Sequence, residues 1–259
     1  MPHAASLALL GQTAVVTGST GGIGRAIALE LAAAGADVVI HGRSNAAAAD
    51  ALAQQIHTLG RKTKILLCDL AAADSPPGFV EQAWNWRGGV DVWINNAGAD
   101  VLTGAAAAEP FEQKLARLWQ VDVLATIALS RQIGARMQSR GSGTIVNIGW
   151  DQAEQGMAGE SGEMFSTIKG AVMAFTRSLA QSLAPTVRVN CLAPGWIKTQ
   201  WGKGASEYWQ QRAERESLRG RWGTPEDIGR AAAFLASPAA DFITGQTLAV
   251  NGGFRYAAP

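Results

Sequence analysis

Three glycines, Gly18, Gly22 and Gly24, follow a short aliphatic run and open an alanine-rich stretch at residues 23–34. Glycine at those spacings permits a tight strand-to-helix turn and lets backbone N–H groups approach a pyrophosphate at the positive end of a helix. A glycine turn with no ligand is the plain alternative. Farther along, Phe165 and Lys169 stand four residues apart in a segment where Met164, Phe165, Ile168, Val172, Phe175, Leu179 and Leu183 repeat near a 3.6-residue period. That period predicts a long amphipathic helix over 163–184 with Phe165 and Lys169 on one face. Asp151 and Glu163 lie nearby in sequence as groups able to hold a proton, and the chain has only two tyrosines, Tyr208 and Tyr256.

The elements that would position these residues are legible as aliphatic runs at 13–17, 38–41, 64–68, 90–95, 144–148, 187–191 and 247–250, separated by helix-forming stretches. Runs that are apolar throughout suit a parallel sheet covered on both faces, with right-handed helical crossovers. The expected fold class is therefore α/β: one Rossmann-type doubly wound domain over 1–259, its seven-stranded parallel sheet flanked by helices. Residues 194–223, with Trp196, Trp201, Trp209 and Trp222, read as an irregular insertion over the carboxyl edge of the sheet, where ligands bind in this architecture. A helix is expected to begin near Thr224-Pro225-Glu226, and the alanine runs 46–49 and 105–108 read as helical segments or loop, not as disorder.

Composition narrows the partners. The 259 residues are 47% hydrophobic, and 22 basic against 21 acidic side chains leave a formal charge of +1, with no like-charge run. A nucleic-acid or anionic-membrane partner is not expected, and a small-molecule substrate is. The first ten residues lack a basic start, and no apolar stretch approaches the ~20 residues that span a bilayer, so a soluble, cytoplasmic protein is expected. Cys68 and Cys191 read as buried free thiols, and His3, His41 and His57 lack ligand spacing, so no metal site is expected.

The motifs TGSTGGIG at 17–24, NNAG at 95–98 and NCLAPGWIKT at 190–199, in this order, resemble the short-chain dehydrogenase/reductase family along almost the whole chain, in its 3-oxoacyl-carrier-protein-reductase-like branch. The resemblance implies a nicotinamide cofactor held by Gly18, Ser19, Thr20, Gly22, Ile23 and Gly24 at the phosphates. Asp69 and Leu70 would lie at the adenine, Asn96, Ala97 and Gly98 at the adenosine ribose and strand edge, and Pro194, Gly195, Ile197 and Thr199 at the nicotinamide end. Taken singly, Asp69 reads equally as a helix cap and Pro194-Gly195 as an ordinary turn. Gly42 stands where the family would place a ribose-binding carboxylate, and Arg43 and Ser44 follow. A guanidinium suits a 2′-phosphate, so NADP(H) is preferred over NAD(H), unless Arg43 is simply a solvated loop residue. A dimer or tetramer is implied too, through long helices at 112–138 and 163–184.

The family's catalytic set of Ser, Tyr, Lys and Asn is altered. Lys169 keeps the lysine position, where it would also bind the nicotinamide ribose, but Phe165 occupies the tyrosine position and is no proton donor. Asp122 takes the place of the asparagine. Register from the strand puts Trp150 at the serine position, counting back from Phe165 puts Gln152 there, and the loop is two residues longer than usual. Asp151, Glu163 or a water held by Lys169 are the candidate replacement acids, Asp151 reading also as a loop cap and Tyr208 as a remote alternative. Three readings follow: an NADP(H)-dependent oxidoreductase of atypical mechanism, acting on a small carbonyl, hydroxyl or activated double bond; a nucleotide-binding protein without fast turnover; and non-redox lyase or isomerase chemistry.

Overall fold

Each aliphatic run forms a strand: β1 Thr13–Val16, β2 Asp37–Gly42, β3 Thr63–Leu67, β4 Val92–Asn95, β5 Gly143–Ile148, β6 Val187–Pro194 and β7 Thr247–Val250. The computed structural model describes residues 7–72 and 75–255; His3 and Tyr256 lie outside the described residues. All seven strands pair in parallel in the order β3-β2-β1-β4-β5-β6-β7. The order reverses between β1 and β4, the switch point at which a doubly wound sheet opens a crevice at its carboxyl edge.

The crossover helices are α1 Gly22–Ala33, α2 Ala46–Thr58, α3 Ser75–Trp86, α4 Phe111–Leu118, α5 Thr126–Arg140, α6 Glu160–Leu183 and α9 Pro225–Ala236. One face of the sheet buries Val16, Ile40, Ile94, Val146 and Leu192 against α1, α2 and α9. The other buries Val15, Val39, Trp93, Ile145 and Val189 against α3, α5 and α6. Alternate residues of one strand thus enter opposite cores, which is why the strands read as unbroken apolar runs. The start expected near Thr224 is capped by a reciprocal pair: the Thr224 side chain accepts from the Asp227 N–H and the Asp227 carboxylate accepts from the Thr224 N–H. The run 46–49 opens α2, and 105–108 forms a short 3-10 turn, Gly104–Ala108.

Two expectations need correction. The helix read over 112–138 is not continuous: a π-helical segment, Trp119–Ala125, separates α4 from α5. Its wider turn carries Asp122, which is buried because its carboxylate satisfies groups on two other elements described below. Nor is 194–223 irregular, since it contains the helices α7 Gln200–Gly204 and α8 Glu207–Glu216.

A buried polar chain ties β4 and β5 to α5 and α6. Trp93 Nε1 donates to Asn95 Oδ1 at 2.8 Å, and Asn95 Nδ2 donates to Ser130 Oγ and to Asn147 Oδ1, each at 2.8 Å. Asn147 Nδ2 then donates to Thr176 Oγ1 at 2.9 Å. Removing the middle link strands donors and acceptors where water cannot reach them. Asn147→Ala is expected to lower stability by about 2–3 kcal/mol, read as a shift of the urea midpoint at unchanged slope.

Candidate active site at the carboxyl edge

The glycine turn is held from behind by β4. The Thr17 hydroxyl accepts from the N–H groups of Asn96 and Ala97 at 2.9 and 3.0 Å, and Asn96 Nδ2 donates to the carbonyls of Thr17 and Gly18 at 3.0 and 3.1 Å. Gly18 is left-handed (φ 63°), and a Cβ there would stand 2.8 Å from Ala97 Cα. A Cβ on Gly24 would stand 2.3 Å from the Gly18 carbonyl oxygen. These two glycines therefore serve close packing of strand, turn and helix. Gly21 and Gly22 differ, because a Cβ on Gly21 would meet nothing within 4 Å and one on Gly22 only Thr199 Cγ2, at 3.8 Å. The N-terminus of α1 has no side-chain cap. Its free N–H groups thus face open space beside Thr199, a cradle that suits the pyrophosphate of a dinucleotide.

His41 is the part of this region that the sequence reading missed, having considered it only as a metal ligand. It is buried, its Nδ1 accepts from the Gly18 N–H at 3.0 Å, and its Nε2 lies 3.2 Å from the Cys68 carbonyl, which only a protonated Nε2 can satisfy. The ring therefore joins the glycine turn to the ends of β2 and β3. Burial pushes its pKa down to about 4. Its one visible signal was a polar residue inside the run 38–41.

At the end of β2, a Cβ on Gly42 would stand 2.6 Å from Thr20 Cγ2, so Thr20 fills the space that a side chain at position 42 would need. Arg43 and Ser44 are exposed, and Arg43 makes no hydrogen bond or ion pair with the described residues. Asp69 Oδ1 accepts from the Ala71 N–H at 2.9 Å, so this carboxylate caps a turn, whatever else it does; Leu70 beside it is buried. Ile23 is half-buried and packs against the core beneath α1.

Lys169 points from α6 to the π segment. Its Nζ lies 2.9 Å from Asp122 Oδ2, while Asp122 Oδ1 accepts from the Ala99 N–H at 2.8 Å. Asp122 is 3% exposed, and a Cβ on Gly98 would stand 2.8 Å from its Oδ2, so glycine at 98 admits the carboxylate. Phe165 packs half-buried beside Val101, Met164 and Ile168, and the Trp150 ring meets it edge-on, 6.3 Å between centroids. Of the two residues read at the serine position, Trp150 is the one against Phe165. Gln152 is buried in a 3-10 turn, Asp151–Ala153, that faces β6 and β7.

Asp151 turns the same way. Its Oδ2 accepts from Asn251 Nδ2 at 3.0 Å and would be 3.1 Å from a Cβ on Gly195. Burial lifts its pKa to about 6. The structure brings Asp122, Lys169, Phe165 and Trp150 together and sets Asp151 and Gln152 on the far side of the loop. Pro194 is buried, and the Gly195 N–H donates to the Val250 carbonyl at 3.2 Å. Ile197 is buried and pairs with Gly223. Tyr208 is 60% exposed, its ring 5.2 Å from that of Trp209.

The four tryptophans of 194–223 pack on one another: Trp196 lies 6.3 Å from Trp201, 5.3 Å from Trp209 and 6.1 Å from Trp222 between ring centroids. Arg212 covers Trp196 and Trp209, and its Nε reaches Glu216, which also accepts from Trp196 Nε1. The rings thus pack the insertion together from within. Cys191 is buried and free, its thiol pushed up to about 12 by burial, while Cys68 is free and half-buried. Among the described residues no group of three or more His, Cys, Asp or Glu could hold a metal, and no helix is long and apolar enough to cross a membrane.

The family model described as "Enoyl-(Acyl carrier protein) reductase" matches residues 18–255. The chain belongs to the short-chain dehydrogenase/reductase family. It is 36% identical over 250 residues to a 3-oxoacyl-[acyl-carrier-protein] reductase of Aquifex aeolicus, covering 95% of this chain and 98% of that one. A solved 7α-hydroxysteroid dehydrogenase complexed with NADH and 7-oxo glycochenodeoxycholic acid superposes with a TM-score of 0.87 at 31% identity, over 98% of each chain. A putative gluconate 5-dehydrogenase of Beutenbergia cavernae with bound NADP gives 0.85 at 36% identity, over 95% of this chain and 98% of that one. The family and the Rossmann-like seven-stranded parallel sheet read from the sequence are thus both found.

Two of the shifted groups, His41 and Asp151, make opposite contributions to stability between about pH 4 and 6. His41 has a folded pKa of about 4, below its unfolded 6.5, so between those values the unfolded chain binds more protons and stability falls on acidification. Asp151 has a folded pKa of about 6, above its unfolded 3.8, so the native state binds more protons there and stability rises. Each is worth about 3 kcal/mol over its window, and the two largely offset between about pH 4 and 6. Denaturant titrations of Asp151→Asn should expose a steep loss of stability from about pH 6.5 down to 4, and those of His41→Asn a gain.

Proposed function

We propose that this protein is an NADP(H)-dependent oxidoreductase of atypical mechanism, transferring hydride to or from a small carbonyl, hydroxyl or activated double-bond substrate. The observation that carries the cofactor half is the open, uncapped glycine cradle at α1, tied by Thr17 and Asn96 to the switch point of the sheet. Gly18, Ser19, Thr20, Gly22, Ile23 and Gly24 would hold the phosphates, with Thr199 across the cleft. The NADP and NADH complexes of the similar structures support a nicotinamide cofactor. The preference for NADP(H) rests on this chain's residues: Thr20 stands where a ribose-binding carboxylate would need room, and Arg43 is exposed with its guanidinium free for a 2′-phosphate.

When bound, the nicotinamide supplies or accepts the hydride. Lys169 keeps two N–H donors beyond the one that meets Asp122, enough to hold the nicotinamide ribose and a water. Phe165 and Trp150 offer no hydroxyl; their rings make an apolar wall that excludes bulk water and favours a small apolar or aromatic substrate. A missing proton donor costs about 10²- to 10⁴-fold in rate, while orientation alone supplies about 7–11 kcal/mol. Slow turnover, or reduction of a double bond protonated by solvent, is consistent with both magnitudes. Asp151 and Gln152 are assigned no proton transfer at Lys169, because both face β6 and β7.

The second reading is an NADP(H)-binding protein with little redox turnover, a sensor or a subunit of a mixed assembly. What favours it is the Asp122–Lys169 ion pair, which engages the cation that in the family prepares a tyrosine. A soluble cytoplasmic homo-oligomer, dimer or tetramer, completes the proposal.

Two measurements test it. Arg43→Ala should weaken NADPH at least tenfold more than NADH, read by fluorescence titration; equal losses would remove the 2′-phosphate role. On a panel of carbonyl and enone substrates, Phe165→Tyr combined with Asp122→Asn should raise carbonyl reduction about 10²-fold or more. A native rate already matching the double variant would overturn the atypical mechanism, and native binding of NADPH without turnover on either substrate class would favour the second reading.

A further inference from the structure

Behind the glycine turn, one residue serves two consecutive positions of it. The His41 ring accepts from the Gly18 N–H at 3.0 Å. Its backbone takes Ser19 from both sides: the His41 carbonyl accepts from the Ser19 N–H at 2.8 Å and from Ser19 Oγ at 3.3 Å, and the His41 N–H donates to Ser19 Oγ at 3.0 Å. Gly18 is left-handed (φ 63°), and Ser19 and His41 are both buried. The N–H groups of Gly18 and Ser19 are thereby drawn inward, away from the cleft, and the chain enters the open positions Gly21 and Gly22 with its orientation already fixed.

The ring divides the work between its two nitrogens. Nε2 lies 3.2 Å from the Cys68 carbonyl and must carry the proton to satisfy it, which leaves Nδ1 bare as the acceptor for Gly18. Phe79 of α3 lies 4.8 Å from the imidazole between centroids and packs in turn on Trp93 of β4 at 5.5 Å, so the ring has little freedom to rotate. Burial holds its pKa at about 4, and Nδ1 therefore stays an acceptor at neutral pH. The backbone links to Ser19 are open to any side chain at position 41; the Gly18 link alone depends on the ring.

We infer that His41 is a positioning residue for the dinucleotide: its Nδ1 holds the Gly18 peptide in the orientation from which the uncapped N–H groups of α1 meet the pyrophosphate. The inference rests on the nucleotide reading proposed above and adds to it a determinant of affinity that touches no part of the ligand. Without the acceptor, the buried Gly18 N–H must find another partner, and the turn is divided among several shapes. Affinity then falls by the fraction of chains left in the receiving shape.

Three variants separate the acceptor from the packing. His41→Asn keeps an oxygen near the Nδ1 position, His41→Gln keeps an amide N–H near Nε2 but no acceptor at Gly18, and His41→Phe keeps the bulk of the ring alone. On the full chain, fluorescence titration of NADPH should show affinity lowered about tenfold or more in His41→Gln and His41→Phe, and within about threefold of native in His41→Asn. In the unliganded chain, amide hydrogen exchange of a peptide covering 17–24 should quicken in the first two and not in the third. Urea midpoints are measured alongside, because a merely structural role would make affinity follow the midpoint instead of the acceptor. Affinities that order with the midpoints, or that are equal across the three variants, would overturn the role, as would quickened exchange with native affinity. A native chain that binds neither NADPH nor NADH fails before any variant is compared, which sinks the nucleotide reading and this inference with it.

Discussion

A single hydroxyl sets the geometry on which the crevice depends. Thr17 Oγ1 accepts two consecutive N–H groups from the chain leaving β4, while the Asn96 amide returns two hydrogen bonds to the carbonyls leaving β1. The two strands part company at this point, one toward α1 and the other toward the Ala99 loop. Without the clasp, neighbouring strand ends that feed crossovers on opposite faces would be free to splay. The packing glycines, the open glycines and the His41 ring all take their positions from this anchored pair of backbones. His41 extends the same restraint outward, since its two nitrogens reach Gly18 and Cys68 and so tie three strand ends into one rim.

The second constraint is a charge. Asp122 sits where a neutral amide would be expected, buried in a π-helical turn, and it is satisfied on both oxygens by Ala99 and Lys169. A buried carboxylate without its cation would cost several kcal/mol, so pair and turn stand or fall together. Three changes therefore become one. With Lys169 engaged by Asp122, a tyrosine beside it would lose much of its electrostatic preparation, and Phe165 with Trp150 fills the vacated volume with rings that need no polar partner. On the reading proposed above, this group exchanges proton chemistry for packing.

Much of this was legible in the chain. The strands declared themselves because a strand buried on both faces must be apolar at every position, and Gly18, Gly22 and Gly24 declared the turn because no other residue permits it. What the sequence could not give was direction. Asp151 and Gln152 lie within two residues of Trp150, yet a 3-10 turn rotates them toward β6 and β7, and nothing in DQA announces that rotation. The π segment hid inside a stretch that reads as continuous helix, because at seven residues it is too short to show a period of its own. His41 was weighed only as a metal ligand and set aside; its meaning lies in Gly18 and Cys68, 23 and 27 residues away. The Trp residues were noticed, but whether aromatic rings face a ligand or each other is decided only by tertiary packing.

That internal packing has a mechanical consequence. Trp196, Trp201, Trp209 and Trp222 bind the start, middle and end of the insertion into one aromatic block, with Arg212 clamped over it. Peeling away one helix would break several ring contacts at once, so piecemeal fraying is disfavoured. The end of the insertion is also tied to the C-terminal segment: Ser217 bridges Phe254, the Leu218 N–H donates to the Gly253 carbonyl and the Arg255 N–H donates to the Glu216 carbonyl, so the aromatic block and the chain end hold one another in place.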